Sequence, residues 1–590
     1  MAFPPRFVLA LFLLGSLWVR GEETATFRQW IAGQEAGGSS RKLSRTPAGD
    51  LEESRDWTRL ERMGTVIEQD LKETVLRKPD GSLAFTWSLT LSQEPLQGEA
   101  TWSPKTPGLL KVTFKNGPPR TVELPPDATL WPGDGDDLLK TAARLRQPVR
   151  VKTYALPTQQ WTLLDLVPVG PEPLPGFPDT VHFQGKASEG TLPVDVELWI
   201  SPVHGEIKQL GSLGGIPLVS QRAELPAPVG SGQGAGLFER TVKTLEPHPF
   251  LLWLPEVKVR WSGKGPQTLP EDPQQRRSGD NRYTLVRAKA PTGRELTEMP
   301  VTGRPSREDA PFLAPTPLAQ FHDPVFAGLD QRLRAPEGAT RWELAQRVTA
   351  FVYDWIKDKN YTVGFASAQE VARTPRGDCT EHGVLAVALL RRLGVPARGV
   401  TGWVAFGESL GLHFWVEARI GGRWIPLDPT FDQAPASAYR LKLGTTDLAD
   451  LGSVGWESAA LTFLEGAWTP EGPWAKDVRT QGDTAIAPDG TRLRVPASRW
   501  HYQAGRLSLE WEGSHGVEAV SRPAPAQVAT ARLLQGSRTG RRGWWTPASG
   551  QLAVELGGGR WLQVDGLGEA QAHRLLEALE QAAPLVLKAA

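Results

Sequence analysis

Cys379 is the only cysteine in 590 residues. It has no partner for an intramolecular disulfide, and no second thiolate can share a metal with it. The fold must therefore be held by packed cores, without a covalent frame. Hydrophobic residues make up 40% of the chain, enough to build such cores. The 51 prolines and 61 glycines imply many turns, hence substantial β structure. The length suggests roughly three or four domains. Basic and acidic residues balance at 66 each, so no charge excess steers the chain to nucleic acid or an anionic membrane.

The residues around the cysteine spell out a helix with both ends marked. Asp378 is a good N-cap, and Glu381 three positions on can complete a capping box. The apolar run Val384 to Leu393 follows. Arg391 and Arg392 suit the negative C-terminal end, Gly394 suits a left-handed cap and Pro396 forbids continuation. Cys379 is then the first helical residue, at an end that carries about half a positive charge. A thiol there is biased toward thiolate, the form that attacks carbonyls. A free cysteine is also commonly a buried structural residue. His382 on the same helix is a rival base, with less favourable geometry than the histidine described next.

Leu412 to Ile420 and Arg423 to Asp428 read as two strands joined by Gly421-Gly422, a two-residue hairpin turn. If those glycines are the whole loop, Ile420 faces Arg423, Trp415 faces Asp428 and His413 faces Thr430. Side chains alternate along a strand, so His413, Trp415 and Asp428 share a face. His413 and Asp428 are diagonal neighbours with Cα atoms roughly 7–8 Å apart, within reach of each other. A one-residue slip would put them on opposite faces. An imidazole held by a carboxylate is what a cysteine nucleophile needs. A lone strand histidine is more often a solvent-facing or core residue, and an Asp before Pro429 is more often a turn residue. The case rests on all three positions together.

Four stretches together resemble the transglutaminase-like superfamily: Gly377-Asp378-Cys379-Thr380-Glu381, Leu390 to Arg398, His413-Phe414-Trp415-Val416-Glu417 and Trp424 to Thr430. The resemblance covers a minor part of the chain, but the order Cys, His, Asp and the flanking residues all agree. It implies a papain-like α/β core with Cys379 as nucleophile, His413 as base and Asp428 as orienting group. It leaves the reaction open, since that superfamily includes cross-linking acyltransferases, peptidases, amidases and inactive members.

Along the chain, residues 1–21 have the pattern of a signal peptide. Arg6 is followed by an apolar run to Val19, with small residues suited to cleavage after Gly21. The run is shorter than the roughly 20 residues of a membrane span, so export is expected and an uncleaved anchor is the alternative. Residues 22–63 read as a polar lead-in, partly helical from Trp57 to Met63. Residues 64–230 alternate as one or two antiparallel β domains, with Gly133 to Asp137 as an acidic turn. Residues 231–319 read as a β segment ending in a Pro-rich linker from Pro291 to Pro317. Residues 320–470 hold the catalytic core, entered by a helix capped by Thr340 and Glu343. Its stretch 434–470 is expected to be loop-like. Residues 480–590 read as a small α+β domain ending in a helix from Glu569. The whole is an α+β multidomain chain.

The first functional expectation is an exported thiol enzyme acting on amide or ester carbonyls, a peptidase or amidase, with a protein or peptide substrate of the cell envelope. A cross-linking acyltransferase and a non-catalytic envelope binding module are the alternatives. Gaps of 34 and 15 residues between Cys379, His413 and Asp428 are looser than usual zinc sites, so no metal and no cofactor are expected. No nucleic-acid partner and no membrane span in the mature chain are expected.

Overall fold

The computed structural model describes residues 24–62, 65–91, 94–115, 119–129, 134–189, 192–213, 216–224, 235–236, 243–244, 256–263, 268–359, 366–406, 409–449, 466–471, 479–486, 492–503, 506–519, 532–535, 542–546, 551–557 and 560–582. The signal-peptide reading of residues 1–21 lies outside them.

The N-terminal part is one large antiparallel sheet. Its strands are β1 Thr24–Ile31, β2 Gln34–Thr46, β3 Gly49–Arg62, β4 Thr65–Arg77, β5 Leu83–Thr90, β6 Leu96–Trp102, β7 Leu109–Phe114, β8 Arg120–Glu123, β9 Val149–Ala155, β10 Gln160–Pro171, β11 Val181–Glu189, β12 Leu192–Ser201, β13 Gly205–Leu213 and β14 Ile216–Ala223. The order runs from β8 down to β1, then β14 down to β9. The two edges come together. Arg120 on β8 donates to Gln159 Oε1 just beyond β9 at 2.7 Å, and Thr129 N donates to Lys152 O on β9 at 2.6 Å. The curl is thus barrel-like. Alternation decides its inner face: on β5, Leu83, Phe85, Trp87 and Leu89 are all buried in the core.

Two expectations fail here. Residues 24–62 are three strands, β1 to β3, and neither a lead-in nor partly helical. Their inward positions carry Gln29, Arg41 and Asp56 among others, so the apolar–polar alternation that announces a half-buried strand is absent. The acidic turn expected at Gly133 to Asp137 is the start of a helix, Asp134–Leu145. Acidic residues suit a helix N-terminus, and Leu139, Ala142 and Ala143 bury this helix against β9, β12 and β13.

A second sheet is built mainly from residues 397–446. The strand Ser409–Ile420 lies between Lys243–Thr244 and Ala397–Phe406, also pairs with Arg423–Leu427, and Ala397–Phe406 pairs on with Arg440–Thr446. Four helices accompany it: Val325–Leu333, Arg341–Trp355, Ala368–Arg373 and Cys379–Arg392. The last is buried on nearly every side, with Val384, Leu385, Val387, Leu389 and Leu390 fully enclosed. Each such side chain contributes roughly 1.5–3 kcal/mol on leaving water.

The stretch 434–470, expected to be loop-like, contributes the strand Arg440–Thr446 to this sheet and Gly466–Glu471 to another. Gly466–Glu471 pairs with Glu256–Gly263, where Trp468 packs against Trp261 and Tyr283. The expected linker from Pro291 to Pro317 is bound to the core. Val301 N donates to Gly394 O at 2.8 Å, and Glu295 pairs with Arg423 at 2.6 Å. It forms only two short 3-10 helices, Gly293–Thr297 and Ala310–Phe312, and its side chains and carbonyls are used by the core.

Arg373 joins the two parts, with Glu94 and Asp323 each at 2.6 Å. Beyond residue 479, short strands and the helix Glu569–Ala578 bury a separate core that includes Trp500, Leu552, Leu562 and Leu575. The molecule is a β-rich, multidomain α+β protein. Among the described residues, no helix is long and apolar enough to cross a membrane.

Candidate active site

The cysteine helix begins where its sequence says. Cys379 is the first helical residue. Asp378 is the N-cap, and its Oδ1 accepts from Thr380 N at 2.9 Å. Glu381 closes the capping box by accepting from Asp378 N at 3.0 Å, and it also accepts from Ala366 N at 3.0 Å. Gly377, with φ of +134°, admits the chain into this mouth. A Cβ there would lie 2.4 Å from Glu381 Cγ, so a side chain would displace the cap. Burial, reinforced by the charge of Asp378, pushes the Glu381 carboxyl up to about 8. The far end closes as expected, with Val395 N donating to Leu390 O at 2.9 Å and Gly394 at φ +74°. Arg391 does more than suit the helix end. It is buried and donates to the carbonyls of Ala397, Ala314 and Asp447.

The helix is seated on the strand Ser409–Ile420 at one close contact. Gly383 lies against the Phe414 ring, where a Cβ would meet Cδ1 at 2.3 Å. Cys379 is about one turn back toward the helix mouth from that contact, and His413 precedes Phe414 in the strand.

The hairpin register follows the count from the glycines. Ile420 pairs with Arg423, and the ladder continues to Val416 and Leu427. There it stops. Asp428 leaves the ladder for a tight turn in which its backbone pairs with Gln433, so His413 does not face Thr430 as expected. The turn still delivers the carboxylate. His413 Nε2 and Asp428 Oδ2 are 2.8 Å apart, and both residues are buried. Thr430 N donates to the other oxygen, Oδ1, at 3.0 Å. The imidazole is stacked between Phe431, at 5.1 Å between ring centroids, and Trp415, at 6.3 Å.

Sequence reasoning missed Arg440. It reaches Asp428 from the strand Arg440–Thr446, with Nη1 2.6 Å from Oδ2, the same oxygen that meets His413. Its Nη2 donates to Gln433 Oε1 at 2.9 Å, and its guanidinium lies 5.6 Å from the Trp415 ring centroid. The alternation Tyr439-Arg440-Leu441-Lys442-Leu443 was a strand signal, but nothing local to it names Asp428 as partner.

The charges divide clearly. Burial alone would raise the Asp428 carboxyl, but His413 and Arg440 overcome it and hold the group well below the usual carboxylate range. Burial lowers the proton affinity of His413, Asp428 raises it and Arg440 lowers it again, with the net effect downward. Asp428 is therefore ionised and accepts from Nε2–H. The neutral ring then carries its lone pair on Nδ1. His382, the rival base, is fully buried, and its Nδ1 is 2.5 Å from the Asp378 carbonyl oxygen. Burial pushes its pKa down to about 3, so it stays neutral. A second buried network braces the same strand, where Glu417 pairs with Arg398 at 2.6 Å and with Lys442. Among the described residues, no group of three or more His, Cys, Asp or Glu is arranged to hold a metal ion.

Residues 327–429 match a family model described as the transglutaminase-like superfamily. No curated protein matches the chain. Among solved structures, a β-barrel-like protein with a domain of unknown function, from Brucella abortus, is 12% identical with a TM-score of 0.28. That match covers 34% of this chain and 95% of the other. A candidate cysteine protease from Cytophaga hutchinsonii is 18% identical with a TM-score of 0.23, covering 39% and 85% of the two chains. A candidate protease from Parabacteroides distasonis is 11% identical with a TM-score of 0.15, covering 85% and 94%.

Proposed function

From the premise that residues 327–429 are a transglutaminase-like domain, we propose that the protein is a thiol enzyme acting on amide or ester carbonyls. In this reading Cys379 is the nucleophile, His413 the general base and Asp428 the orienting group. The observation that carries it is the 2.8 Å contact between His413 Nε2 and Asp428 Oδ2 beside a helix that opens on the sole cysteine. It leaves Nδ1 as the nitrogen available to a thiol.

The steps follow from those roles. His413 Nδ1 takes the proton of Cys379, and the sulfur attacks the substrate carbonyl. As the C–S bond forms, the carbonyl electrons move to oxygen, where the helix-mouth N–H groups and dipole favour negative charge. The tetrahedral species collapses, the C–N or C–O bond breaks, and the leaving group takes the proton from His413. Water then gives its proton to His413, attacks the acyl-enzyme and releases the acid, returning the sulfur and its proton. Cys379 itself is 2% exposed.

The substrate in this reading is a peptide or protein, with the cell envelope as its setting and residues 1–21 as the export signal. Peptide-amide hydrolysis by the purified protein should disappear in Cys379→Ala, and the exported chain should begin at Glu22 by intact mass. Turnover that survives Cys379→Ala sinks the thiol mechanism. Cysteine-dependent incorporation of a primary amine into a glutamine-bearing protein would assign the cross-linking reaction in place of hydrolysis. Partner binding without any turnover would leave a non-catalytic module.

A further inference from the structure

The steps proposed for Cys379 give no task to His382, about one turn further along the same helix. His382 is wholly buried. Two of its nitrogens converge on one atom. The backbone N–H of His382 donates to the Asp378 carbonyl oxygen at 3.1 Å, and the ring Nδ1 lies 2.5 Å from the same oxygen. A carbonyl oxygen only accepts, so Nδ1 carries a hydrogen. Burial keeps the ring neutral, so Nε2 holds the lone pair. Nε2 has no hydrogen-bond partner among the described residues. Asp428, the carboxylate behind His413, is one of the charges that act on the ring, together with Lys359 and Asp378.

An ordinary helix start needs only the first of these bonds, since the N-cap carbonyl receives the N–H four residues on. The rest of Asp378 is already tied. Its Oδ1 accepts from Thr380 N and from Thr380 Oγ1, each at 2.9 Å, and its N donates to Glu381 Oε2 at 3.0 Å. An apolar side chain of similar size at position 382 would leave no buried acceptor unmade. The imidazole therefore costs stability at Nε2, and what it adds is a second donor on one particular oxygen. That oxygen and the Cys379 N–H are the two ends of one planar peptide unit. A donor that fixes the oxygen fixes the direction of the N–H and of the chain into Cys379. It also polarises the unit, which strengthens the N–H as a donor.

We propose that His382 is a positioning residue for acyl transfer, holding and polarising the Asp378–Cys379 peptide so that its N–H stabilises the negative oxygen formed when Cys379 attacks a carbonyl. This role rests on the reading of Cys379 as nucleophile. His382 touches neither the substrate nor the sulfur in it, and acts through the peptide bond alone. Reactions of the sulfur that build no oxyanion should therefore be indifferent to it.

Two reagents separate those cases in the full-length protein. With p-nitrophenyl acetate, the sulfur adds to the ester carbonyl, the C–S bond forms, the C–O bond breaks, and p-nitrophenolate leaves with the electron pair. The thiol proton passes to His413 and the acetyl group stays on sulfur. Iodoacetamide alkylates the same sulfur at a saturated carbon, expelling iodide, with no oxyanion. His382→Phe should slow the ester burst about five- to tenfold, part of the effect of losing one oxyanion donor. Its alkylation rate should stay within about twofold of the wild type. His382→Asn places an amide N–H near the Nδ1 position and should restore most of the burst. If His382→Phe does not fold, His382→Gln replaces it, since its amide reaches the Nε2 position and leaves the Nδ1 position empty. A burst that needs Cys379 but is unchanged in His382→Phe or His382→Gln overturns the role of His382 alone. Equal losses of burst and alkylation make the residue a packing element and overturn it too. A wild type with no burst, or a burst kept in Cys379→Ala, overturns the thiol reading and the role of His382 together.

Discussion

Arg440→Met is expected to destabilise the protein by about 3–5 kcal/mol at neutral pH, the usual cost of stripping one partner from a buried ion pair. Arg440 and Asp428 have side chains 4% and 0% exposed, and their atoms meet at 2.6 Å. Without the guanidinium, Asp428 keeps only His413 and Thr430 N against its burial. The sign with pH is fixed by the direction of the shift. The folded Asp428 carboxyl lies below its unfolded value, so its stabilisation is full above about pH 4 and is lost as pH falls further toward the folded value. The gap between wild type and Arg440→Met, measured by urea unfolding, should therefore be wide and flat from pH 7 to about pH 4 and should shrink steadily as pH is lowered further. Arg419→Met is the control. Arg419 also makes two ion pairs, but it is 22% exposed and its partner Glu308 is 75% exposed. That change should cost about 1 kcal/mol or less. Equal losses in the two variants would refute the central place given to Arg440.

His413→Ala should slow alkylation of Cys379 by iodoacetamide at pH 6 by about tenfold or more. The sole cysteine gives the signal one source. An ordinary thiol titrates near pKa 8.5, so at pH 6 only about 0.3% of it is thiolate. A thiolate paired with imidazolium at a helix mouth is largely ionised there, although its lower basicity reduces its intrinsic reactivity. Labelling in denaturant supplies the accessible reference for a sulfur that is 2% exposed in the fold. Wild-type labelling that follows a plain thiol profile, unchanged by His413→Ala, would mean that the imidazole does not act on the sulfur. Asp428→Asn should fall between the two, because the ring keeps its place and loses the charge that fixes its tautomer.

The sequence by itself determined the features that depend on near neighbours. The mouth of the cysteine helix is written in Asp378 and Glu381, three residues apart, and its end in Gly394. The hairpin at Gly421-Gly422 set the register as far as Leu427, because a two-residue turn and a period of two leave little freedom. These local rules carry the chain to within one residue of Asp428, whose carboxylate meets His413 at 2.8 Å. They failed where the chain leaves regular geometry, since Asp428 enters a turn closed by Gln433 that no ladder count describes.

Tertiary structure decided the rest. The strands β1 to β3 were illegible because their inward residues are polar, and burial of a polar face becomes visible only when the sheet curls. Arg440 was illegible for a related reason. A buried charge takes its meaning from its partner, and the partner of Arg440 lies in the turn that follows another strand, twelve residues away in sequence. Hydrophobic periodicity reports what a segment hides from water. It does not report which charge a segment is brought to meet, and that pairing holds the carboxylate behind His413.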